Sequence, residues 1–369
     1  MKITRIGMDI AKSVFQLHGV DSHDRTALKK KLKRSEVLAF YRATPACEVG
    51  IEACGGAHHW ARAIGKLGHS VKLIAPQLVK PYVKTNKNDA ADAEAICEAI
   101  CEAMSRPNMR FVPIKTTAQQ DLQAIHRIRS ELIKQRTMKG NQIRGLLTEY
   151  GIVVDKRLER LRAALPTILE DADNGLTMGM RELMAELRQD LVKLDERVKQ
   201  MDEKIALERK SNDAVKRLEQ IPGIGAISAT ALVAAVGDGK QFKNGREMAA
   251  WLGLVPAQHS SGGKDRLLGI SKRGNSYVRT LLIHGARASQ RVAVNKPDAR
   301  SLWVNALGQR RHKNVAAVAL ANKNARIAWV ILSRGEDYRA QSATCARDGA
   351  ITDRATDALP TNAHEASAM

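Results

Sequence analysis

The apolar residues of this chain change their spacing twice along its 369 positions, and that change limits the folds open to it. Up to about residue 105, short apolar runs alternate with helix-like pieces. Ile3–Ile10 and Val14–Val20 read as neighbouring antiparallel strands separated by a short break. Cys47–Ala53 (CEVGIEA) reads as a third strand. Side chains alternate across a strand, so Val49, Ile51 and Ala53 share one face and Glu48, Gly50 and Glu52 the other. Gly55-Gly56 breaks this strand. Ala57–Leu67 follows as a helix, Val71–Ala75 as a short strand stopped by Pro76, and the Ala- and Glu-rich stretch Asp89–Met104 as a strong helix. Strands followed by helices indicate an α/β layer fold.

From residue 115 to about 215 the strand signals stop. Leu122, Ile125, Ile128 and Leu132, then Ile143, Leu146 and Leu147, mark one long amphipathic helix. Leu187, Leu191, Leu194, Val198, Met201 and Ile205 step by 4, 3, 4, 3 and 4, a coiled-coil seam that pairs either within the chain or between protomers. From Leu218 the pattern changes again, to a mostly helical segment interrupted by IPGIG (Ile221–Gly225) and by the Gly/Ser loop QHSSGGKDR. These shifts divide the chain into residues 1–112, 113–215 and 216–340. The tail, 341–369, is polar and aperiodic and is expected to be disordered.

Charge narrows the function. Lys and Arg number 60 against 39 Asp and Glu, for a net charge of +21. Lys264–Arg339 alone holds 16 Lys/Arg and 4 Asp/Glu, a surplus of 12. Such a surplus repels itself unless a polyanion neutralises it, and nucleic acid is the commonest one. Aromatic residues are only 4%, which argues against a base-stacking sheet and for phosphate contacts. No uninterrupted apolar run approaches the roughly 18 residues of a membrane span, and the start MKITRIGMDIAKS lacks a signal-peptide core. Five cysteines, at 47, 54, 97, 101 and 345, are an odd and sparse set rather than a disulfide framework, so the chain reads as cytoplasmic.

Four carboxylates stand where strands end or a helix begins. Asp9 and Glu52 close two apolar strands, and Asp89 and Asp92 open a helix three residues apart, on one face of its first turn. Bare, they would repel; a pair of Mg²⁺ ions reverses that, because hard cations select carboxylate oxygens and two ions can clamp a phosphodiester. Taken singly each has a plainer use: Asp9 capping a turn, Asp89 and Asp92 complementing the helix dipole, Glu52 facing solvent with Glu48 an equally placed rival.

IPGIG sets Gly223 and Gly225 in a tight turn between helices, where backbone N–H groups can hold a phosphate without sequence preference; a simple helix connection has the same pattern. Ser260-Ser261-Gly262-Gly263 precedes Lys264, Arg266, Lys272, Arg273 and Arg279. A serine nucleophile needs exposure, backbone freedom and nearby cations, and this loop meets those needs, although SSGG is by composition more often a plain linker.

Together, IGMDIAKSVFQLHGVD, VGIEACGGAHHWAR, KTNKNDAADAEAI, IPGIGAISATAL and GLVPAQHSSGGKDRLLGISKRGNSYVRTLLIHGARA resemble, in order and from about residue 3 to 339, the transposases of insertion-sequence family one-ten, eleven-eleven subgroup. The resemblance implies an RNase H-like (RuvC-like) N-terminal domain whose Asp-Glu-Asp-Asp site maps onto Asp9, Glu52, Asp89 and Asp92. It implies a C-terminal transposase domain in which Ser261, with Ser260 the fallback, attacks DNA. It also implies excision of the element as a circle, site-specific insertion, an element-encoded guide RNA, and multimers in which the acidic domain of one protomer meets the serine domain of another. Residues 1–112 would then be the acidic catalytic domain, 113–215 the coiled-coil arm and 216–340 the transposase domain with its helix-hairpin-helix, the whole working on the bacterial nucleoid. Two other functions fit the same residues. One is a metal-dependent Holliday-junction resolvase-like nuclease that uses water and makes Ser261 dispensable; the other is a non-catalytic nucleic-acid scaffold.

Overall fold

The computed structural model describes residues 2–79, 89–260, 264 and 266–339, and of 89–95 the backbone alone. The chain divides into two units, Met1–Thr117 and Ala118–Met369.

The first unit is a mixed sheet with helices. Its elements run β1 (Arg5–Ile10), β2 (Val14–Val20), β3 (Thr26–Lys33), α1 (Val37–Ala43), β4 (Glu48–Glu52), α2 (Ala57–Gly65), β5 (Ser70–Ile74), α3 (Pro76–Val79), α4 (Asp89–Ser105) and β6 (Phe111–Val112). The six strands lie in the order β3-β2-β1-β4-β5-β6. β1, β2 and β3 form an antiparallel meander; β1, β4 and β5 run parallel; β6 is antiparallel to β5. The four strands expected from sequence are all present, with bounds moved by one or two residues. β3 and α1 are additions to that expectation, because TALKKKLK carries too few apolar residues to show alternation.

One sheet face packs the main core: Ile6, Met8, Phe15, Leu17, Val49 and Ile51 meet Val37 and Tyr41 of α1 and Trp60 and Ile64 of α2. Each such fully buried side chain contributes roughly 1.5–3 kcal/mol relative to exposure. The other face carries α4. Glycines on the strands let this helix approach: a Cβ on Gly7 would lie 2.0 Å from the Cys97 carbonyl oxygen, and one on Gly50 would meet Ile100 and Met104 of α4.

The second unit begins with a helical arm. α5 (Thr117–Thr148) and α7 (Met178–Ser211) are long, with α6 (Leu158–Glu170) between them. Met184, Leu191, Val198 and Ile205 are buried at seven-residue intervals along α7. Arg129–Asp202 (2.5 Å), Arg136–Asp195 (3.2 Å) and Lys139–Asp190 (3.2 Å) tie α5 to α7 in antiparallel register, so much of this seam is satisfied within the chain. Ion pairs that keep partial solvent access are worth about 0–1 kcal/mol each and specify register more than stability.

The remainder packs around one core. It comprises α8 (Asp213–Glu219), α9 (Ala226–Val236), α10 (Gly245–Trp251), β7 (Pro256–Gln258), β8 (Leu267–Ile270), α11 (Ser276–Ala293), α12 (Ala299–Arg310) and α13 (Lys313–Arg334). Leu218, Ile224, Leu232, Met248, Leu282, Leu320 and Ile331 lie at its centre. Among the described residues α13 is the one helix long and apolar enough to cross a membrane. Its apolar face (Ala317, Leu320, Ala321, Ala325, Ala328) is buried in this core. The tail expected to be disordered, 341–369, lies outside the described residues.

Candidate active site

Asp9 and Glu52 come together because two parallel strands deliver them. β1 and β4 pair with Gly7 opposite Gly50 and Met8 opposite Ile51, so one further step sets Asp9 beside Glu52 at the C-terminal edge of the sheet. Adjacent strands lie about 4.8 Å apart. Both residues share the parity of the glycines under α4, so both stand on the α4 face, opposite the apolar core. Their electrostatics agree with the geometry. Burial raises the Asp9 carboxyl above its ordinary range, partly offset by the Ile10 backbone N–H. The Cys54 thiol is raised too, by desolvation first and then by the negative charges of Glu52 and Asp9.

The rival carboxylate is elsewhere. Glu48 lies opposite Arg5, at the far end of β4, and is ion-paired with Lys72 of β5.

α4 lies on the same face of the sheet. Cys97 Sγ donates to the Gln16 carbonyl and Cys101 Sγ to that of His18; Gln16 lies opposite Asp9 and His18 opposite Gly7. The helix therefore runs antiparallel to β1, with its N-terminal end, which begins at Asp89, toward the strand edge that carries Asp9. The side chains of Asp89 and Asp92 lie outside the described residues.

Oxygen donors on adjacent strands, one half-buried and raised in pKa by desolvation, suit a hard divalent cation, whose charge would remove that penalty. Among the described residues none forms an ion pair with Asp9, and none stands in a ready-made group of three metal-binding side chains.

In the second unit, the Gly/Ser segment lies in the sequence between two paired strands. β7 pairs with β8, and His259 N–H donates to the Arg266 carbonyl at 2.9 Å. Ser260, just after β7, is exposed and accepts a hydrogen bond from Gln258 Nε2 at 2.8 Å. Ser261, with Gly262 and Gly263, lies outside the described residues. Lys264, Arg266, Lys272 and Arg273 are exposed around the hairpin. Arg279 holds backbone together instead. Its guanidinium donates to the carbonyls of Leu252 (3.0 Å) and Arg273 (2.7 Å), strapping the loop after β8 to the end of α10.

The IPGIG turn joins α8 to α9, and its two glycines do different things. Gly223, at φ 91°, packs on α11, where a Cβ on Gly285 would lie 1.8 Å from the Gly223 carbonyl oxygen. Gly225 faces open space and caps α9, whose first turn receives no side-chain cap. Gly285 escapes a reading of the sequence; HGA within a helix is its only trace.

The chain also matches known families and proteins over most of its length. A family described as "Transposase" of the DEDD IS110 type matches residues 6–152, and one described as "Transposase IS116/IS110/IS902 family" matches residues 215–303. A probable family 20 transposase of Pseudomonas aeruginosa is 52% identical over 340 residues, covering 92% of this chain and 99% of its own. The chain belongs to the IS110/IS116/IS902 transposase family. The transposase for insertion sequence element IS1111A of Coxiella burnetii is 48% identical over 334 residues, 90% of this chain and 91% of its own, in keeping with the eleven-eleven subgroup. That for IS1328 of Yersinia enterocolitica is 41% identical over 333 residues, 90% of this chain and 98% of its own. This transposase is thus a DNA-recombining enzyme whose DEDD-type match, residues 6–152, spans the sheet and continues through α5, and domains of that type generally use divalent metal.

Proposed function

We propose that this insertion-sequence transposase excises its element as a circle and inserts it site-specifically by metal-assisted, serine-nucleophile strand exchange. The observation that carries the reading is Asp9 beside Glu52 on parallel strands, on the face where α4 arrives with Asp89 and Asp92 at its start. An antiparallel β1-β2-β3 meander continued by parallel β4 and β5 is also the arrangement of RNase H-like (RuvC-like) nucleases.

Asp9, Glu52, Asp89 and Asp92 would hold Mg²⁺, as two ions. Bound there, the metal polarises the scissile phosphate and neutralises charge in the transition state. Ser261 Oγ attacks phosphorus and displaces a deoxyribose oxygen; the phosphoserine ester keeps the bond energy until a DNA hydroxyl displaces the serine in turn. Ser260 is the fallback nucleophile. Lys264, Arg266, Lys272 and Arg273 neutralise phosphates beside the hairpin. Arg279 contributes by holding the loop that carries Lys272 and Arg273, with its remaining guanidinium donors turned to phosphate. The α8–α9 turn serves as a helix-hairpin-helix, with Gly225 presenting the α9 N-terminus to the DNA backbone and Gly223 seating the turn on α11.

The domain limits are 1–112, 113–215 and 216–340. The α5–α7 arm supplies a coiled-coil surface for a homo-oligomer, an element-encoded RNA guides DNA choice, and the enzyme works in the cytoplasm on the nucleoid.

The test is amplification across the circle junction from a plasmid carrying the gene with its native flanks, for wild type, Ser261→Ala and Asp9→Ala. Loss of the junction product in both variants is expected. A product that survives Ser261→Ala but not Asp9→Ala sinks the assignment of that nucleophile, leaving Ser260 or a water-using resolvase. Survival in Asp9→Ala sinks the metal site.

A further inference from the structure

RTALKKKLKR (Arg25–Arg34) contains six basic residues and no acidic one, and its strand β3 is, among the described residues, an edge of the sheet that holds Asp9. Its lysines divide between two faces. Lys30 stacks over Phe40 at 5.2 Å, and Leu32 is buried in the main core, so Leu28, Lys30 and Leu32 face α1 and α2. Lys29, Lys31 and Lys33 alternate with them and stand on the opposite face, the α4 face, all three exposed.

The register relates this row to the carboxylates. Lys31 lies opposite Gln16, and Gln16 lies opposite Asp9. Lys29 is level with His18 and Gly7, and Lys33 lies opposite Val14, just beyond the end of β1. Cross-strand partners share a face, so Lys31, Gln16, Asp9 and Glu52 form one line across four adjacent strands. Lys31 is two strand spacings, about 10 Å, from Asp9. Same-face residues along a strand recur about every 6.7 Å, close to the interval between neighbouring phosphates of an extended nucleic-acid strand.

We infer that Lys29, Lys31 and Lys33 form a phosphate track that holds the DNA strand being cut and leads its backbone to the Asp9–Glu52 edge. The inference deepens the metal-site reading and rests on it for the identity of the strand. Charge and register commit the occupant to DNA: the row is level with the carboxylates that act on the phosphodiester. A different use exists for lysines on a sheet edge, which is to prevent edge-to-edge pairing between molecules. In that use the face on which a lysine stands is immaterial to DNA binding.

The experiment uses the full chain in an Asp9→Asn background, so that nothing is turned over. It measures affinity for a short single-stranded DNA and for an RNA of the same sequence over a salt series. Each phosphate contact adds about 0.7 to the slope of log affinity against log salt for single strands. Changing Lys29, Lys31 and Lys33 together to Gln is expected to lower the DNA slope by about 2 and to weaken binding on the order of a hundredfold at about 0.1 M salt. Lys30→Gln, on the other face of the same strand, is expected to leave the slope unchanged, and the triple change to Arg to retain it. An unchanged slope in the Gln triple, an equal loss in Lys30→Gln, or a loss seen with RNA alone overturns the track. The Gln triple is compared by circular dichroism with the Arg triple; should it misfold, Lys31→Gln with Lys33→Gln carries the test, with an expected loss of about 1.4. Strand cleavage by the wild-type chain, measured beside it, reports separately on the metal site. If Asp9→Asn still cleaves, that reading fails, while the slopes continue to judge the track.

Discussion

In the proposed site Asp9 is under two opposing demands. Burial favours its neutral form, whereas the proposed cation requires the anion. Its folded pKa lies above the unfolded value, so the metal-free protein keeps this group's contribution to stability at low pH and loses it as pH rises through the folded value. Divalent metal removes the penalty by binding the anion. Relative to Asp9→Asn, wild type is therefore expected to lose stability in chemical unfolding as pH rises above about 4 without metal, and to regain that difference when Mg²⁺ is added. Asp9→Asn should lose strand cleavage by about a thousandfold or more, a few kcal/mol of transition-state stabilisation. Equal stabilisation of Asp9→Asn by Mg²⁺ removes Asp9 from the site. The glycines opposite α4 show what the chain makes readable at this scale. Gly50 stands out as a break in CEVGIEA, but only the helix above it explains why no side chain is tolerated there.

At the scale of elements, His126 joins three helices. It is buried on α5, with Nε2 3.0 Å from Thr230 Oγ1 on α9 and Nδ1 3.1 Å from Tyr277 Oη on α11. Thr230 donates its own proton to the Ala226 carbonyl at 2.6 Å, so its oxygen accepts from His126 Nε2–H, and Nδ1 accepts from the Tyr277 hydroxyl. That arrangement requires neutral imidazole. Burial first, and the Arg129 charge second, push its pKa down from 6.5 to about 4. The unfolded chain takes up the proton earlier than the folded one, so this contribution is present above 6.5 and is lost as pH falls to about 4. His126→Gln should flatten unfolding stability across that window while lowering it at neutral pH; an undiminished pH slope refutes the assignment. Helices of this kind are legible from periodicity, as α5 and α7 show, whereas α9 is apolar on every side and carries no such period. The hairpin β7–β8 is not, since three- and four-residue strands carry no period. β3 is hidden for a related reason, because its lysines replace the apolar alternation on which strand recognition depends. Asp9 and Glu52 are legible as strand ends, yet their adjacency needs the parallel β1–β4 pairing, which joins residues more than forty positions apart.

At the scale of the whole molecule, acidic residues and serine lie in separate units, Met1–Thr117 and Ala118–Met369. Two assemblies can unite them. In one, each chain completes its own site; in the other, each site takes its carboxylates from one protomer and its serine from the next. Mixing two inactive variants separates these cases. Asp9→Ala keeps Ser261, and Ser261→Ala keeps Asp9. If sites form within a chain, every site in the mixture contains one dead half and no junction product appears. If they form between chains, a mixed dimer contains one site with both halves dead and one with both intact. Random pairing makes about half of the dimers mixed, so up to about a quarter of wild-type sites are restored. The proposed composite site predicts that recovery when the variants are co-expressed on one plasmid with the element ends. It also predicts that the recovery vanishes when Asp9→Ala and Ser261→Ala are placed on the same chain and mixed with either single variant, because no intact pair of halves then remains. Continued silence from the co-expressed single variants, with wild type active beside them, assigns both halves to one chain and frees the α5–α7 arm from any part in building the site.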